Sequence, residues 1–172
     1  MKRAIFYIAT AAVFLAACNS NNSKLTVPIT NKDTAQSSLE LNRLTALKVI
    51  ASLSDKKIDS MFVSFAPGFV DYGSGIEEPK SNLDSIKADI KDYVATYPDL
   101  KAQNINAFAH GDSVVVTATW TATFKNAQRT RLFKFDDADI FIFNSSGKIK
   151  AHRSMQDKAL FFNQLNMESE AR

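Results

Sequence analysis

Residues 113–124 read SVVVTATWTATF, a stretch in which every second residue has the same character. Valine and threonine are frequent in β-strands, and successive strand residues point to opposite faces of a sheet. One predicted face carries Val114, Val116, Ala118, Trp120 and Ala122, and the other carries Val115, Thr117, Thr119, Thr121 and Thr123. The alternation predicts a long strand with an apolar face on the core and a threonine-rich face turned away from it.

Further predicted strands lie on either side of this segment. Residues 100–109 precede it, separated from it by the turn His110-Gly111-Asp112, and residues 131–143 follow it after a polar loop. The last strand is predicted at residues 148–155, after the hairpin turn Asn144-Ser145-Ser146-Gly147. Successive strands joined by short turns favour an antiparallel sheet.

In the first half of the chain the apolar residues recur at the spacing of a helix rather than of a strand. Ser37 and Glu40 form a predicted capping box, which starts a helix that runs to about residue 53. A second, shorter apolar stripe covers residues 58–65, and Pro67-Gly68 is predicted to end it.

A short strand and a third helix complete this half. The strand is predicted at residues 69–72 and the helix at residues 81–97, starting at Ser81. Asp157 is predicted to cap a closing segment after the last strand. Helices followed by long antiparallel strands predict an α+β domain, with the helices packed on one face of a curved sheet.

The N-terminus has the features of an export signal. Lys2 and Arg3 precede an apolar run over residues 4–17, which is too short to span a bilayer as a helix. The run ends in Leu15-Ala16-Ala17-Cys18, which resembles the cleavage site of a bacterial lipoprotein signal. That resemblance implies cleavage before Cys18 and attachment of lipid to its sulfur and its new amine. The alternative is an ordinary signal peptide with a free cysteine near its cleavage site.

These features predict four regions along the chain. We expect a signal peptide at residues 1–17, the lipidated cysteine and a flexible tether at residues 18–37, one folded domain at residues 38–167 and a tail at residues 168–172. The expected location is a bacterial cell envelope, with the domain anchored to a membrane on its periplasmic or outer side.

Composition narrows the classes of function. The chain has 21 basic and 18 acidic side chains, and Lys2 and Arg3 lie in the predicted signal. The mature chain is therefore close to neutral and offers no electrostatic reason to expect nucleic-acid binding. Cys18 is the only cysteine, which excludes an intramolecular disulfide and a thiolate metal site. No glycine-rich phosphate loop is present, so no nucleotide cofactor is expected.

Several short motifs follow one another in an order typical of a known family. They are Tyr97-Pro98-Asp99-Leu100, HGDSVVV at residues 110–116, TATWTATF at residues 117–124, and Gly147-Lys148-Ile149 followed by His152. On these motifs, residues 39–166 resemble the NTF2-like superfamily and in particular its SnoaL-like branch. The resemblance implies an α+β cone in which helices and a curved antiparallel sheet enclose a pocket. Members include polyketide cyclases, isomerases, epoxide hydrolases and dehydratases, so the fold alone does not assign a reaction.

The last predicted strand departs from the family motif at its end. The family stretch reads Gly-Lys-Ile, two residues, then His, Trp and Asp, whereas this chain has His152, Arg153 and Ser154 in the last three places. The resemblance implies a pocket aspartate as general acid or base. Because serine does not titrate near neutral pH, Ser154 cannot replace a carboxylate base. This departure weakens the prediction of an enzyme.

Three residues are candidates for acid–base chemistry, and none is assigned as catalytic from the sequence. His152 matches the family histidine, and an ordinary histidine pKa of about 6.5 suits proton transfer; its alternative is a structural role in the pocket wall or rim. The resemblance places Asp71 on a strand at the pocket edge. Asp139 shares a strand face with Asp137, and the two form either a carboxylate pair with one raised pKa or, with Asp136, a solvated patch.

The resemblance also implies which side chains line the pocket. We expect Tyr72, Trp120, Asp139, His152 and Ser154 there. Trp120 has the parity of the core residues, so packing in the core is its alternative role. Neither histidine is expected to bind a metal, because His110 lies in a turn and no thiolate accompanies them.

Three hypotheses for function follow from these residues. The first is a membrane-anchored module that binds a small, largely apolar molecule in an aromatic pocket without catalysis. The second is an acid–base enzyme, such as an isomerase, dehydratase or cyclase, with Asp139 or Asp71 as the base and His152 as its helper. The third is a structural module that forms a homodimer through the threonine-rich face at residues 117–123.

Overall fold

The computed structural model describes residues 31–75, 77–125 and 130–156, without the side chains of residues 31–35 and 125. In chain order the elements are α1 (Asn31–Ser54), α2 (Ile58–Phe62), β1 (Phe65–Asp71), α3 (Leu83–Thr96), β2 (Lys101–His110), β3 (Ser113–Lys125), β4 (Thr130–Phe143) and β5 (Ile149–Ser154). The predicted signal peptide, Cys18 and the closing segment after Asp157 lie outside the described residues.

The described strands form one five-stranded sheet in the order β1-β5-β4-β3-β2. The pairs β2–β3, β3–β4 and β4–β5 are antiparallel, whereas β1 lies parallel to β5 at one edge. Because a long stretch of chain separates β1 from β5, no hairpin forces these two strands to be antiparallel. The predicted α+β class, with helices on a largely antiparallel sheet, is confirmed, and the parallel edge strand is the one difference in strand direction.

The inner face of the sheet supplies most of the core and has the predicted parity. On β3 the buried residues are Val114, Val116, Ala118, Trp120 and Ala122, and on β4 they include Phe133, Phe135, Phe141 and Phe143. Helix α1 packs on β2 and β3, and α2 contacts both α1 and α3. Burial of each large apolar side chain contributes about 1.5–3 kcal/mol, so this face holds the helices on the sheet.

Strand β1 starts earlier than predicted. Pro67 and Gly68, expected to end a helix, lie inside the strand instead. The register with β5 shifts between Phe65 and Val70, and within this irregularity Gly68 has a φ of +75°, which glycine adopts without strain. Because β1 is an edge strand, a proline without an N–H is tolerated there. Because of this irregularity the side chain of Phe69 points into the core, where it is 1% exposed.

Two helix starts also differ from the prediction. Helix α1 begins at Asn31, so the predicted capping box at Ser37 is wrong, and Glu40 instead pairs with Arg43 at 2.6 Å. Helix α3 begins at Leu83, because Asn82 is the N-cap and its side chain accepts a hydrogen bond from the backbone of Ser85. No described helix is long and apolar enough to cross a membrane.

The outer face of the sheet carries the threonines predicted there. Thr119 is buried and donates a hydrogen bond to Asp136 of β4 at 2.7 Å. Phe108, at the neighbouring edge strand β2, is 66% exposed. The homodimer contact expected on this face stays a prediction.

Candidate functional site

The inner face of the sheet and the helices line a cavity of about 340 Å³. Its apolar and aromatic lining residues are Leu53, Ile90, Tyr93, Leu100, Trp120 and Phe135. Its polar lining residues are Asp71, Glu77, Asp89, Asp137, Asp139, Ser154 and Gln156. A cavity of this size with aromatic walls and a few convergent polar groups is typical of a small-molecule site.

His152 is held between two carboxylates from the strands on either side of it. Its Nδ1 lies 3.0 Å from Asp71 Oδ1, and its Nε2 lies 2.9 Å from Asp139 Oδ1. Strand β5 lies between β1 and β4 in the sheet, so one side chain on β5 reaches both neighbours. Asp71 is the register partner of His152, whereas Asp139 is the register partner of Ser154.

The two contacts determine the charge of the imidazole. Burial disfavours the charged ring, but the hydrogen bonds and negative charges of Asp139 and Asp71 raise the pKa of His152 to about 9. Burial raises the pKa of Asp71, but His152 and the backbone N–H of Gly73 outweigh it and lower that pKa below its ordinary value. At neutral pH the ring is therefore a cation that donates one hydrogen bond to each aspartate.

Other contacts hold this group in place. The ring of Phe141 stacks on His152 with 5.0 Å between the ring centroids. Gly73 N donates to Asp71 Oδ1 at 2.9 Å, and Tyr72 N donates to the carbonyl oxygen of His152 at 2.9 Å. Because both ring N–H groups are already used, His152 is arranged to position the two aspartates rather than to contact a ligand.

Asp137 also lines the cavity, and its side-chain hydrogen-bond partner is Ser154 rather than His152. Ser154 Oγ donates to its two carboxylate oxygens, at 3.0 and 3.1 Å. Burial and the negative charge of Asp139 raise the pKa of Asp137 to about 6, and the hydrogen bond from Ser154 partly opposes that rise. Asp137 therefore exchanges a proton close to neutral pH, as a general acid or base requires.

Tyr93 of α3 places a phenol in the same cavity. Burial raises the pKa of Tyr93 above its ordinary value, and Tyr97, Asp137 and Asp139 raise it further. The hydroxyl therefore stays protonated over the physiological pH range and is able to donate a hydrogen bond. A neutral donor beside a carboxylate is suited to stabilise negative charge that develops on a ligand oxygen.

Comparison with known proteins identifies the domain. The family model described as SnoaL-like polyketide cyclase matches residues 43–165, which is well over half of the chain. The chain belongs to the SnoaL-like family. A search of curated protein sequences finds no match.

Solved structures share the fold of this SnoaL-like domain at low sequence identity. A phenazine biosynthesis-related protein from Pseudomonas aeruginosa has a TM-score of 0.66 and 15% identity, covering 78% of this chain and 91% of that one. IdmH from Streptomyces antibioticus, a candidate polyketide cyclase, has a TM-score of 0.62 and 15% identity, covering 73% and 98%. AclR from Streptomyces galilaeus, a candidate hydroxylase, has a TM-score of 0.63 and 17% identity, covering 75% and 83%. These similarities establish the fold.

The residues expected at the site occupy different positions in the SnoaL-like domain. Asp71, Trp120, Asp139 and Ser154 line the cavity, and Trp120 is also part of the core, at 3% exposure. His152 is not among the lining residues, but it hydrogen-bonds to two residues that are, Asp71 and Asp139. Tyr72 is 37% exposed, outside the cavity lining, and the guanidinium of Arg153 lies 5.4 Å from its ring centroid.

Two residues matter more than the sequence indicated. The sequence leaves a solvated role open for Asp137. In the structure its strand parity with Phe135 and Asp139 brings it into the cavity, whereas Asp136 turns outward to Thr119. Tyr93 lies in the third predicted helix, and helical spacing does not distinguish a core residue from a pocket residue. Within the described ranges, no three His, Cys, Asp or Glu side chains are grouped to hold a metal ion.

Proposed function

We propose that this domain catalyses proton transfer on a small, largely apolar molecule, with Asp137 as the group that takes up and returns the proton. One observation carries the proposal: Asp137 lines an aromatic cavity and has a pKa raised to about 6. Family membership supports the proposal, since the family model is described as a polyketide cyclase. The substrate would be a carbon acid, a molecule with an acidic C–H next to a carbonyl group.

The neighbouring groups support this role for Asp137. The Asp71–His152–Asp139 arrangement keeps a second carboxylate near Asp137, and its negative charge makes Asp137 a stronger base. Tyr93 lines the same cavity and would donate a hydrogen bond to the carbonyl oxygen as negative charge develops there. Proton removal at carbon with charge stabilisation at oxygen is the step shared by isomerisation, dehydration and aldol-type cyclisation. Asp137 would then return the proton to another carbon in an isomerisation, to the departing hydroxyl in a dehydration, or to the alkoxide formed when the enolate attacks a second carbonyl in a cyclisation.

Hydrogen–deuterium exchange tests the proposal without knowledge of the natural substrate. The probe is 2-tetralone, a small aromatic ketone whose exchangeable α-protons are followed by proton NMR in deuterated buffer. Wild-type protein should accelerate the exchange, and Asp137→Asn should reduce the acceleration by about 100-fold or more, the usual contribution of a general base. Asp136→Asn is the matched control, since Asp136 lies on the same strand and faces Thr119 on the outer side. Equal exchange by wild type and Asp137→Asn would contradict the assignment.

The aromatic lining supports a second candidate, a binding module without catalysis. Trp120 and Phe135 offer stacking surface to an apolar ligand whether or not a proton moves. In that case 2-tetralone changes the emission of Trp120, the only tryptophan of the chain, in wild type and Asp137→Asn alike, and neither protein accelerates exchange.

We also propose that the domain is anchored to a bacterial membrane through lipid on Cys18. The support is the sequence alone: a basic start, an apolar run and Leu15-Ala16-Ala17-Cys18. The anchor would place the cavity near the membrane, on the periplasmic or outer side of the cell envelope.

A further inference from the structure

The cavity has more carboxylate acceptors than the donors of the described residues satisfy. Asp71 and Asp139 each use Oδ1 for His152, and Gly73 N also donates to Asp71 Oδ1. No donor from the described residues reaches Oδ2 of Asp71 or Oδ2 of Asp139. Both residues line the cavity, and an ionised carboxylate accepts about four hydrogen bonds in total. Two carboxylate oxygens are thus left for a ligand.

The charges around the cavity also favour a ligand that is a hydrogen-bond donor with a positive charge. Among the described residues, the cations that act on Asp71, Asp137 and Asp139 are the His152 imidazolium, which is held by two of these aspartates, and the Lys80 ammonium, which acts on Asp71. Lys80 is shared with Asp89 of α3, with which it forms an ion pair at the rim. A ligand carboxylate or phosphate would enter against this excess of negative charge, whereas a cation would relieve it.

The remaining lining limits the shape of the ligand. Trp120, Phe135 and Tyr93 provide aromatic surface, and about 340 Å³ is at the small end of the 300–1,000 Å³ range of ligand pockets. One ring system with a short side chain is the size that fits. Aromatic faces also attract cations, so they favour an ammonium group as well as a ring.

We propose that the substrate of this site carries a protonated amine, and that the free Oδ2 atoms of Asp139 and Asp71 bind that ammonium while the aromatic wall takes its ring. This inference rests on the proposed function, because it leaves Asp137 as the base and names the class of molecule on which it acts. The ammonium supplies N–H donors to the two Oδ2 atoms that no donor of the described residues reaches.

Trp120 emission provides the test, because the chain has one tryptophan. The probes are 2-phenylethylamine, its neutral isostere 2-phenylethanol, and phenylacetate as the anion, titrated at pH 7. We expect 2-phenylethylamine to bind at least about tenfold more tightly than 2-phenylethanol, and phenylacetate to bind most weakly. Equal binding of the amine and the alcohol, or tighter binding of phenylacetate, would overturn the proposal.

Two variants assign the preference to the aspartates. Asp139→Asn and Asp71→Asn should each remove most of the amine preference and leave 2-phenylethanol binding within about threefold of wild type, whereas Asp136→Asn should keep the preference. If one of the first two variants does not fold, the other still decides the point. Amine preference retained in a folded Asp139→Asn or Asp71→Asn protein would overturn the assignment.

The binding test of this inference and the exchange test of the proposed function can fail independently. Amine-selective binding without exchange of 2-tetralone protons would leave this inference standing and remove the catalytic proposal. Exchange that depends on Asp137, together with equal binding of amine and alcohol, would do the reverse.

Discussion

Ser154 Oγ donates to both carboxylate oxygens of Asp137, at 3.0 and 3.1 Å, across the β4–β5 pair. The motif of the family has an aspartate at the position of Ser154, and from the sequence alone its absence here weakens the prediction of an enzyme. The structure brings a carboxylate to the same place from the neighbouring strand. Ser154 thus stands where the family has the acid, and its hydroxyl donates to the carboxylate of Asp137 instead.

A double variant in which Asp137 and Ser154 swap places should therefore keep most of the proposed proton-transfer activity. Asp137→Ser alone removes the base, and we expect it to lose the acceleration of 2-tetralone exchange. Adding Ser154→Asp restores a carboxylate beside a hydroxyl in reversed order, so the double variant should recover to within about tenfold of wild type. The measurement is the NMR exchange rate of the single and double variants. A double variant no faster than Asp137→Ser would show that the strand carrying the carboxylate matters.

Removal of the Ser154 hydroxyl should change the pH at which Asp137 acts. The hydrogen bond from Ser154 lowers the pKa of Asp137, while burial and Asp139 raise it to about 6. Ser154→Ala should therefore move the rising limb of the exchange rate to higher pH, because Asp137 loses its proton later. The rate is measured between pH 5 and 9 for both proteins. An unchanged profile with a lower plateau would assign Ser154 a role in ligand contact instead.

His152 should make folding stability depend on pH. Its pKa is raised from 6.5 to about 9 by Asp139 and Asp71, so its contribution is complete below pH 6.5 and is lost as the pH rises through 9. A shift of this size corresponds to about 3 kcal/mol. Urea unfolding at pH 6 and pH 9.5 should show this loss in wild type but not in His152→Gln. A similar slope in both proteins would place the pH dependence elsewhere.

The β4 strand provides a matched test of its inner face. Phe141 is 2% exposed and stacks on His152, so Phe141→Ala should lower the free energy of unfolding by about 3–5 kcal/mol. Leu132 is 69% exposed on the same strand, and Leu132→Ala should change it by less than about 0.5 kcal/mol. Chemical denaturation of both variants measures the difference. Similar losses would contradict the assignment of the two faces.

Lipidation of Cys18 is testable in a bacterial host. The full chain should partition into the detergent phase after Triton X-114 extraction, and Cys18→Ser should move it to the aqueous phase, because serine offers no thiol for the lipid. Mass spectrometry of the N-terminal peptide identifies the attached group. A mature wild-type chain with an unmodified cysteine would support the alternative of an ordinary signal peptide.

The sequence predicts the strands of this fold better than the site. Alternation along residues 113–124 and residues 131–143 places the correct side chains in the core, because strand parity is a local property. The contact between His152 and Asp71 joins residues 81 positions apart and depends on a parallel register that no local pattern encodes. The role of Asp137 is not predictable from the sequence for a related reason. The neighbouring residues in the chain do not show whether a carboxylate on this strand faces a cavity or solvent.

The position of β5 has a consequence for biosynthesis. It is the last described strand in the chain, yet it lies inside the sheet between β1 and β4. A chain that stops before residue 149 would leave β1 without its strand partner and expose an unpaired edge of β4, a surface prone to aggregation. Such a fragment would also lack His152 and Ser154, so the hydrogen bonds of these residues to Asp71, Asp139 and Asp137 form only after residue 154 is translated. An incomplete product would therefore lack the arrangement around His152 and expose an aggregation-prone edge at the same time.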